Sequence, residues 1–258
     1  MIGALHLTNH KLLNQHLRVY HYFFLCASDL TNNFNCAMIF FVGKKSRAVN
    51  IIKTLVKMYP NAHCELNYGS DYELLVAVIL SAQCTDKRVN LVTKDLFKLA
   101  NTPNAMLELG QERLSKIIYS CGFYAVKAKN IIVMSNDLLN KHGGKVPNDF
   151  DALVNLAGVG RKTANVVLAE LFDTGGIAVD THVFRVSKRL RLAKGDTVEK
   201  VERELSELFK DYPSKKQIHH SLIFFGRYCC TARNPNCREC AVKEYCLINA
   251  QRTTLNAQ

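Results

Sequence analysis

The sequence lacks the features that mark several other classes of protein. It contains no internal repeat and no low-complexity tract. It shows no alternation of apolar and polar residues, so strands are not expected. No apolar run reaches the roughly 20 residues needed to cross a bilayer, and the runs Tyr20–Ala27 and Ala37–Val42 are far shorter. These absences favour a globular helical protein.

The first 43 residues contain almost no charge, since Lys11, Arg18 and Asp29 are their only charged side chains. A signal peptide would begin with basic residues and continue in a smooth apolar stretch, and a transit peptide would be rich in arginine. Neither description fits. We therefore interpret residues 1–43 as an appendage outside the main fold, with Met38 as an alternative start of the natural chain.

Charge and cysteine content indicate the partner and the compartment. The 258 residues permit one large domain or two modest ones. Lys and Arg number 34 against 22 Asp and Glu, a net charge of +12, which favours a polyanionic partner over the alternative of a merely basic soluble protein. Ten cysteines without an export signal predict a reducing compartment, such as the bacterial cytoplasm, where thiols serve metals rather than disulfides.

Helical signals recur from Ser46 onward. Ser70 and Glu73 form a capping box, and the apolar run Leu74–Leu80 that follows predicts a central, buried helix. Further helices are predicted from Thr85 or Asp86 to about Ala100, from Thr102 to Gly110, and over 111–118, 124–139, 148–156 (capped by Asn148), 162 onward, 180–190, 198–209 and 217–228. The expected fold class is all-α with many short helices.

Four cysteines near the C-terminus have the spacing C-x6-C-x2-C-x5-C: Cys230, Cys237, Cys240 and Cys246. Four thiolates without a histidine suit either tetrahedral zinc or a [4Fe–4S] cluster. Zinc ribbons usually contain two CxxC pairs, and this motif has only one, which favours the cluster. Free or disulfide-bonded cysteines are the simpler alternative. Cys229 breaks the spacing and is not expected to be a ligand.

Two short motifs could carry chemistry on DNA. The segment 156–162, LAGVGRK, lies between two helices, and the backbone N–H groups of Gly158 and Gly160 could bind a phosphate, although a plain turn is the alternative. Lys162 lies at the start of the second helix, where the dipole disfavours its charge, and a neutral amine is a nucleophile. Asp180 opens a later helix, where it is either a cap or a carboxylate partner for Lys162. A lysine and a carboxylate together suit glycosidic cleavage.

The segments LAGVGRKTANVV and AVDTHVFRV and the four-cysteine tail together resemble the endonuclease III family of DNA glycosylases, over about Ser46–Cys246. The resemblance implies a helix-hairpin-helix fold with a [4Fe–4S] cluster. The implied domains are 65–174, with the hairpin, and 44–64 plus 175–258, with the cluster, and DNA would lie in the groove between them. The implied partner is double-stranded DNA with a damaged base, bound by a monomer that excises oxidised pyrimidines and cuts the strand by β-elimination.

The resemblance also implies roles for individual residues. Lys162 matches the catalytic lysine and Asp180 the essential aspartate. Gln83 matches the glutamine that fills the hole left by a flipped base, and Phe123 the residue that wedges beside the estranged base. The remaining DNA-binding positions are Gly158, Gly160, Arg161 and His182. Without the family match, Gln83 would be taken as a helix C-terminal residue, Phe123 as a core aromatic, and His182 as a structural hydrogen-bonding group.

Three positions depart from the family pattern. Ala157 replaces a common proline, Arg233 is the only cation between Cys230 and Cys237, and Phe123 is bulkier than the usual aliphatic residue. The nearest alternative function is an adenine-specific mismatch glycosylase, which generally lacks a lysine at the position of Lys162. A non-catalytic DNA-binding module is the alternative from another class.

Overall fold

A computed structural model describes residues 43–246, and within that range the chain forms ten α-helices, one short 3-10 turn and no strand. The predicted appendage lies, apart from Gly43, outside the described residues. The helices are α1 (Lys44–Met58), α2 (Asp71–Ser81), α3 (Asp86–Leu99), α4 (Pro103–Ile117), α5 (Tyr124–His142), α6 (Phe150–Val154), α7 (Arg161–Phe172), α8 (Thr181–Arg189), α9 (Val198–Leu208) and α10 (Lys215–Tyr228), followed by the turn Lys243–Tyr245.

Helix α2 is the central buried helix that the capping box and the apolar run predict. The Ser70 hydroxyl accepts a hydrogen bond from the Glu73 N–H at 3.2 Å, and the Glu73 carboxylate accepts one from the Gly69 N–H. Every residue from Leu74 to Leu80 is buried. The helix packs against α3, α5 and α7, so its whole circumference is covered and no polar face is needed.

Several helix boundaries show how local chemistry decides where a helix ends. Gly110 adopts a φ of 74° inside α4 and kinks it, where the sequence predicts two separate helices. The prediction that Asn148 caps α6 is wrong, because the Asp149 carboxylate accepts from the Ala152 N–H at 2.7 Å. Asn148 instead accepts a hydrogen bond from the Thr174 hydroxyl at 2.9 Å. A side chain one residue nearer the helix reaches its free N–H groups better.

The buried hydrophobic residues form two clusters. One extends from Leu66 to Leu168 and is built on α2 to α7. The other combines α1 with residues from Ile177 to Val242, chiefly from α8, α9 and α10. The predicted division into domains 65–174 and 44–64 plus 175–258 stays a prediction, and these two clusters are the observation that supports it. Within residues 43–246 no helix is long and apolar enough to span a membrane.

Candidate active site and cysteine loop

Lys162 lies in the first turn of α7, just after the hairpin loop. Gly160 is the N-cap residue, with extended backbone and no side chain to cap the helix. The Lys162 side chain is exposed. Because the residue belongs to the first turn of α7, the free N–H groups and the positive end of the helix dipole are close to it. This position leaves the lysine accessible to a molecule that approaches the start of α7.

Asp180 caps α8 and is half-buried. Its Oδ1 atom accepts a hydrogen bond from the Val183 N–H at 2.7 Å, as the capping alternative expects. The residues before it, Ile177 to Val179, are buried, so the chain emerges from the second cluster at Asp180. One carboxylate oxygen is therefore fixed by the helix, which orients the side chain for a second role.

A pocket of about 370 Å³ brings several predicted residues together. Lys162, Asp180, His182 and Gln83 all contribute to its wall, although they come from three separate parts of the chain. Apolar side chains from both clusters, among them Val78 and Ile223, line it as well. An amine and a carboxylate in a concave site of mixed polarity are an arrangement typical of active sites.

Gln83 and Phe123 occupy strained turns at the ends of helices. Gln83 follows α2 with a φ of 53°, and Phe123 precedes α5 with a φ of 58°, both in the left-handed region that residues other than glycine rarely adopt. Phe123 is 66% exposed, so the alternative of a core aromatic does not apply. Such outliers are often retained for function.

The hairpin glycines differ from one another. Gly158 has a φ of 80°, and a Cβ there would lie 3.0 Å from the Cβ of Asn130. Gly160 has an ordinary negative φ of −92° and open space around it, so of these two glycines only Gly158 uses the positive φ that glycine permits. Arg161 is paired with the nearly buried Glu202 at 2.6 Å, so part of its hydrogen-bonding capacity is already used.

His182 lies in the pocket and also makes a structural contact. Its Nδ1 atom is 3.3 Å from Nη2 of Arg185, which in turn donates to the carbonyl oxygen of Gly226 at 2.8 Å. His182 is thus a structural hydrogen-bonding group, which was the alternative to a role in DNA binding, and it also lines the pocket.

Three polar groups in the pocket wall were not predicted as site residues. Arg227 on α10 donates to the carboxylates of Glu65 and Asp86, and it thereby ties α10 to the loop before α2 and to the start of α3. Both acids and the arginine line the pocket. Arg227 is more than 140 positions from each of the two acids in sequence, so no local pattern could have revealed the pairing.

Behind the pocket lies a buried network that was also missed. One carboxylate oxygen of Glu170 accepts a hydrogen bond from Nε2 of His220, and the other oxygen pairs with Lys216 at 2.8 Å. Burial alone would raise the pKa of Glu170, but the bonds from His220 and Lys216 outweigh it and lower that pKa. Next to it, the buried His219 donates from Nδ1 to the carbonyl oxygen of Ala178 at 3.0 Å. Both histidines reach the pocket wall.

The four cysteines of the spacing motif surround a separate cavity of about 60 Å³. Cys229 lines it too, and burial followed by the neighbouring thiols, Cys240 first, raises the pKa of Cys229 to about 12. Arg189 on α8 holds the loop by donating to the carbonyl oxygens of Cys230, Thr231 and Ala232.

The four cysteines of the spacing motif offer a donor set made only of sulfur. Among the described residues, no three His, Cys, Asp or Glu side chains are grouped closely enough to hold a single metal ion. A [4Fe–4S] cluster is held by four cysteine thiolates. Four thiols distributed around one cavity match that need. The predicted ligand set itself stays a prediction.

Comparisons with known proteins agree with the fold. The sequence profile of the HhH-GPD superfamily of base excision DNA repair proteins matches residues 76–211. The chain is 54% identical over 196 residues to the endonuclease III of Rickettsia conorii, covering 76% of this chain and 93% of that protein. It is 48% identical over 204 residues to the endonuclease III of Escherichia coli K12, covering 78% and 95%.

A solved complex of endonuclease III trapped as a covalent intermediate with DNA also matches, with a TM-score of 0.72 and 44% identity over 81% of this chain and 98% of that one. The helical fold and the pocket thus define a helix-hairpin-helix DNA glycosylase. The chain belongs to the endonuclease III family, whose members are DNA glycosylases with abasic-site lyase activity.

Proposed function

We propose that this base excision repair glycosylase removes oxidised pyrimidines, such as thymine glycol, from duplex DNA and then cuts the strand 3′ to the abasic site by β-elimination. The observation that carries the proposal is the shared pocket of Lys162 and Asp180, with Gln83 at its edge.

The first step is extrusion of the damaged nucleotide, because a base inside a duplex cannot reach a pocket. Extrusion costs a few kcal/mol, and less for a lesion that stacks poorly. Gln83 would fill the vacated space, and the exposed ring of Phe123 would stack beside the estranged base. The N–H groups at the start of α7, near Gly158 and Gly160, would bind a phosphate of the same strand.

The chemistry then involves the sugar. The amine of Lys162 forms a bond to C1′, and the bond from C1′ to the base breaks, so the base leaves with the electron pair and takes up a proton. Asp180 stabilises the positive charge that develops on the sugar and accepts or returns protons. Ring opening gives an imine between Nζ and C1′. Loss of the C2′ proton then expels the 3′ phosphate, which breaks the strand.

The cysteine loop has no step in this reaction. Cys230, Cys237, Cys240 and Cys246 would hold a [4Fe–4S] cluster, which is an electron carrier when bound and which would here fix the fold of the loop. Arg189 orients that loop by its bonds to three consecutive carbonyl oxygens.

Borohydride trapping tests the proposal. Duplex DNA with one thymine glycol is incubated with the protein and borohydride, which reduces the imine to a stable adduct. We expect an adduct with the natural chain and with Lys53→Ala, an exposed lysine on α1, and none with Lys162→Ala. An undiminished adduct with Lys162→Ala would contradict the assigned nucleophile. A duplex with an adenine–guanine mismatch tests the alternative substrate in parallel, and preferential cutting there would contradict the assigned specificity.

A further inference from the structure

The two turns that carry Gln83 and Phe123 contact each other. A Cβ atom at Gly122 would lie 3.6 Å from the carbonyl oxygen of Gln83, so the two backbones run side by side. Cys84 follows Gln83 directly and Cys121 lies two residues before Phe123. Burial, followed by the neighbouring Cys84 thiol, raises the pKa of Cys121, so the two thiols lie near each other. The turns therefore form one unit rather than two independent loops.

Lys127 connects both turns. Its ammonium group donates to the carbonyl oxygens of Leu80 and Ala82, at 2.8 and 2.7 Å, at the C-terminal end of α2 directly before Gln83. Its backbone N–H donates to the carbonyl oxygen of Phe123 at 3.0 Å and closes the first turn of α5. Lys127 therefore bonds to the chain just before Gln83 and also to Phe123 itself.

Lys127 is buried, which is unusual for a lysine, and its ammonium group has specific partners. Lys127 is only 6% exposed, and lysines are almost never buried unless their charge has partners. Burial lowers the pKa of Lys127, yet the carbonyl oxygens and the negative end of the α2 dipole favour the cation. The same oxygens are among those that a helix leaves unpaired at its C-terminus. The ammonium group requires acceptors and the carbonyl oxygens require a donor, so their contact holds the end of α2 against the start of α5.

We propose that Lys127 is a positioning residue that keeps the Gln83 and Phe123 turns in one fixed arrangement, so that both side chains enter the DNA together when a base is extruded. The left-handed backbone at both residues persists only where its surroundings hold it, and Lys127 contributes to those surroundings on both sides. The inference rests on the proposed function, because it concerns the two side chains assigned to the duplex. It makes no demand on the chemistry at Lys162.

The test compares two substrates that differ in their need for extrusion. Strand cutting is measured on duplex DNA with thymine glycol and on single-stranded DNA with a preformed abasic site, where nothing has to be extruded. We expect Lys127→Met to lower the duplex-to-single-strand rate ratio about tenfold or more, since a displacement of about 1 Å can cost about 100-fold. Lys129→Met, an exposed lysine on the same helix, should leave the ratio unchanged.

The outcomes separate the inference from the proposed function. An unchanged ratio in folded Lys127→Met, or an equal fall in Lys129→Met, would overturn the role of Lys127. If Lys127→Met does not fold, Lys127→Gln replaces it. An amide can keep only one of the two bonds, so the ratio should still fall, though by a smaller factor, and a wild-type ratio would overturn the role of Lys127. Inactivity of the natural chain on both substrates would overturn the proposed function, and this inference with it.

Discussion

The stability of the protein should fall as the pH is lowered from 7.5 to 5, and His219 should be one identifiable cause. His219 is 5% exposed, and its Nδ1–H group donates to the carbonyl oxygen of Ala178. Burial, followed by the proximity of His220, lowers the pKa of His219 to about 4, and Lys162 acts in the same direction while Asp180 opposes it. In the unfolded chain the pKa of a histidine is about 6.5.

The magnitude follows from these two pKa values. The unfolded chain takes up a proton as the pH falls below about 6.5, whereas the folded protein does so only near 4. The contribution of neutral His219 to stability is therefore complete above pH 6.5 and is lost as the pH falls toward 4. At pH 5 the loss is about 2 kcal/mol, and over the whole interval it approaches about 3 kcal/mol.

Urea unfolding of the natural chain and of His219→Asn measures this contribution. An amide can donate to the Ala178 carbonyl oxygen but cannot take up a proton, so any packing loss in the variant is the same at every pH. Between pH 7.5 and 5, the free energy of unfolding should fall by about 2 kcal/mol less in the variant than in the natural chain. Parallel curves for the two proteins would refute the reasoning.

Three further changes have expected outcomes of their own. Gly158→Ala should destabilise the protein by about 1–3 kcal/mol in thermal or urea unfolding, because Gly158 has a φ of 80° and Asn130 lies close to it. Gly160→Ala should cost no more than about 1 kcal/mol. Equal effects of the two changes would contradict the conclusion that only Gly158 needs to be glycine. Asp180→Asn should retain DNA binding in a gel-shift assay and lose about 100-fold or more in turnover, and near-normal turnover would reduce Asp180 to a helix cap. Arg189→Met should retain about tenfold less of the proposed iron–sulfur cluster in an iron and sulfide assay, and an undiminished content would contradict its role in holding the cysteine loop.

The sequence was sufficient for features with a local cause. The capping box at Ser70, the apolar run of α2 and the carboxylate cap at Asp180 each depend on residues within one or two turns, and the structure shows all three. The prediction that Asn148 caps α6 failed because either of the adjacent residues Asn148 and Asp149 could cap a helix, and only the path of the chain decides between them.

Contacts between distant segments could not be predicted from the sequence. Lys127 lies on a predicted helix and would ordinarily be taken as a solvated side chain, and only the end of α2, 45 residues earlier, gives it acceptors. The pairing of Glu170 with His220 spans 50 residues in the same way. Buried polar networks of this kind depend on which helices pack together, and no periodicity encodes that information.

The central claim is that the amine of Lys162 bonds to the sugar, and the most direct measurement is to locate the bond. The borohydride-trapped adduct on thymine glycol DNA is digested with nuclease and protease, and the modified peptide is sequenced by mass spectrometry. Our account predicts a single deoxyribose-derived remnant on the Nζ atom of Lys162. A remnant on another lysine, or on the α-amino group of the chain, would contradict it.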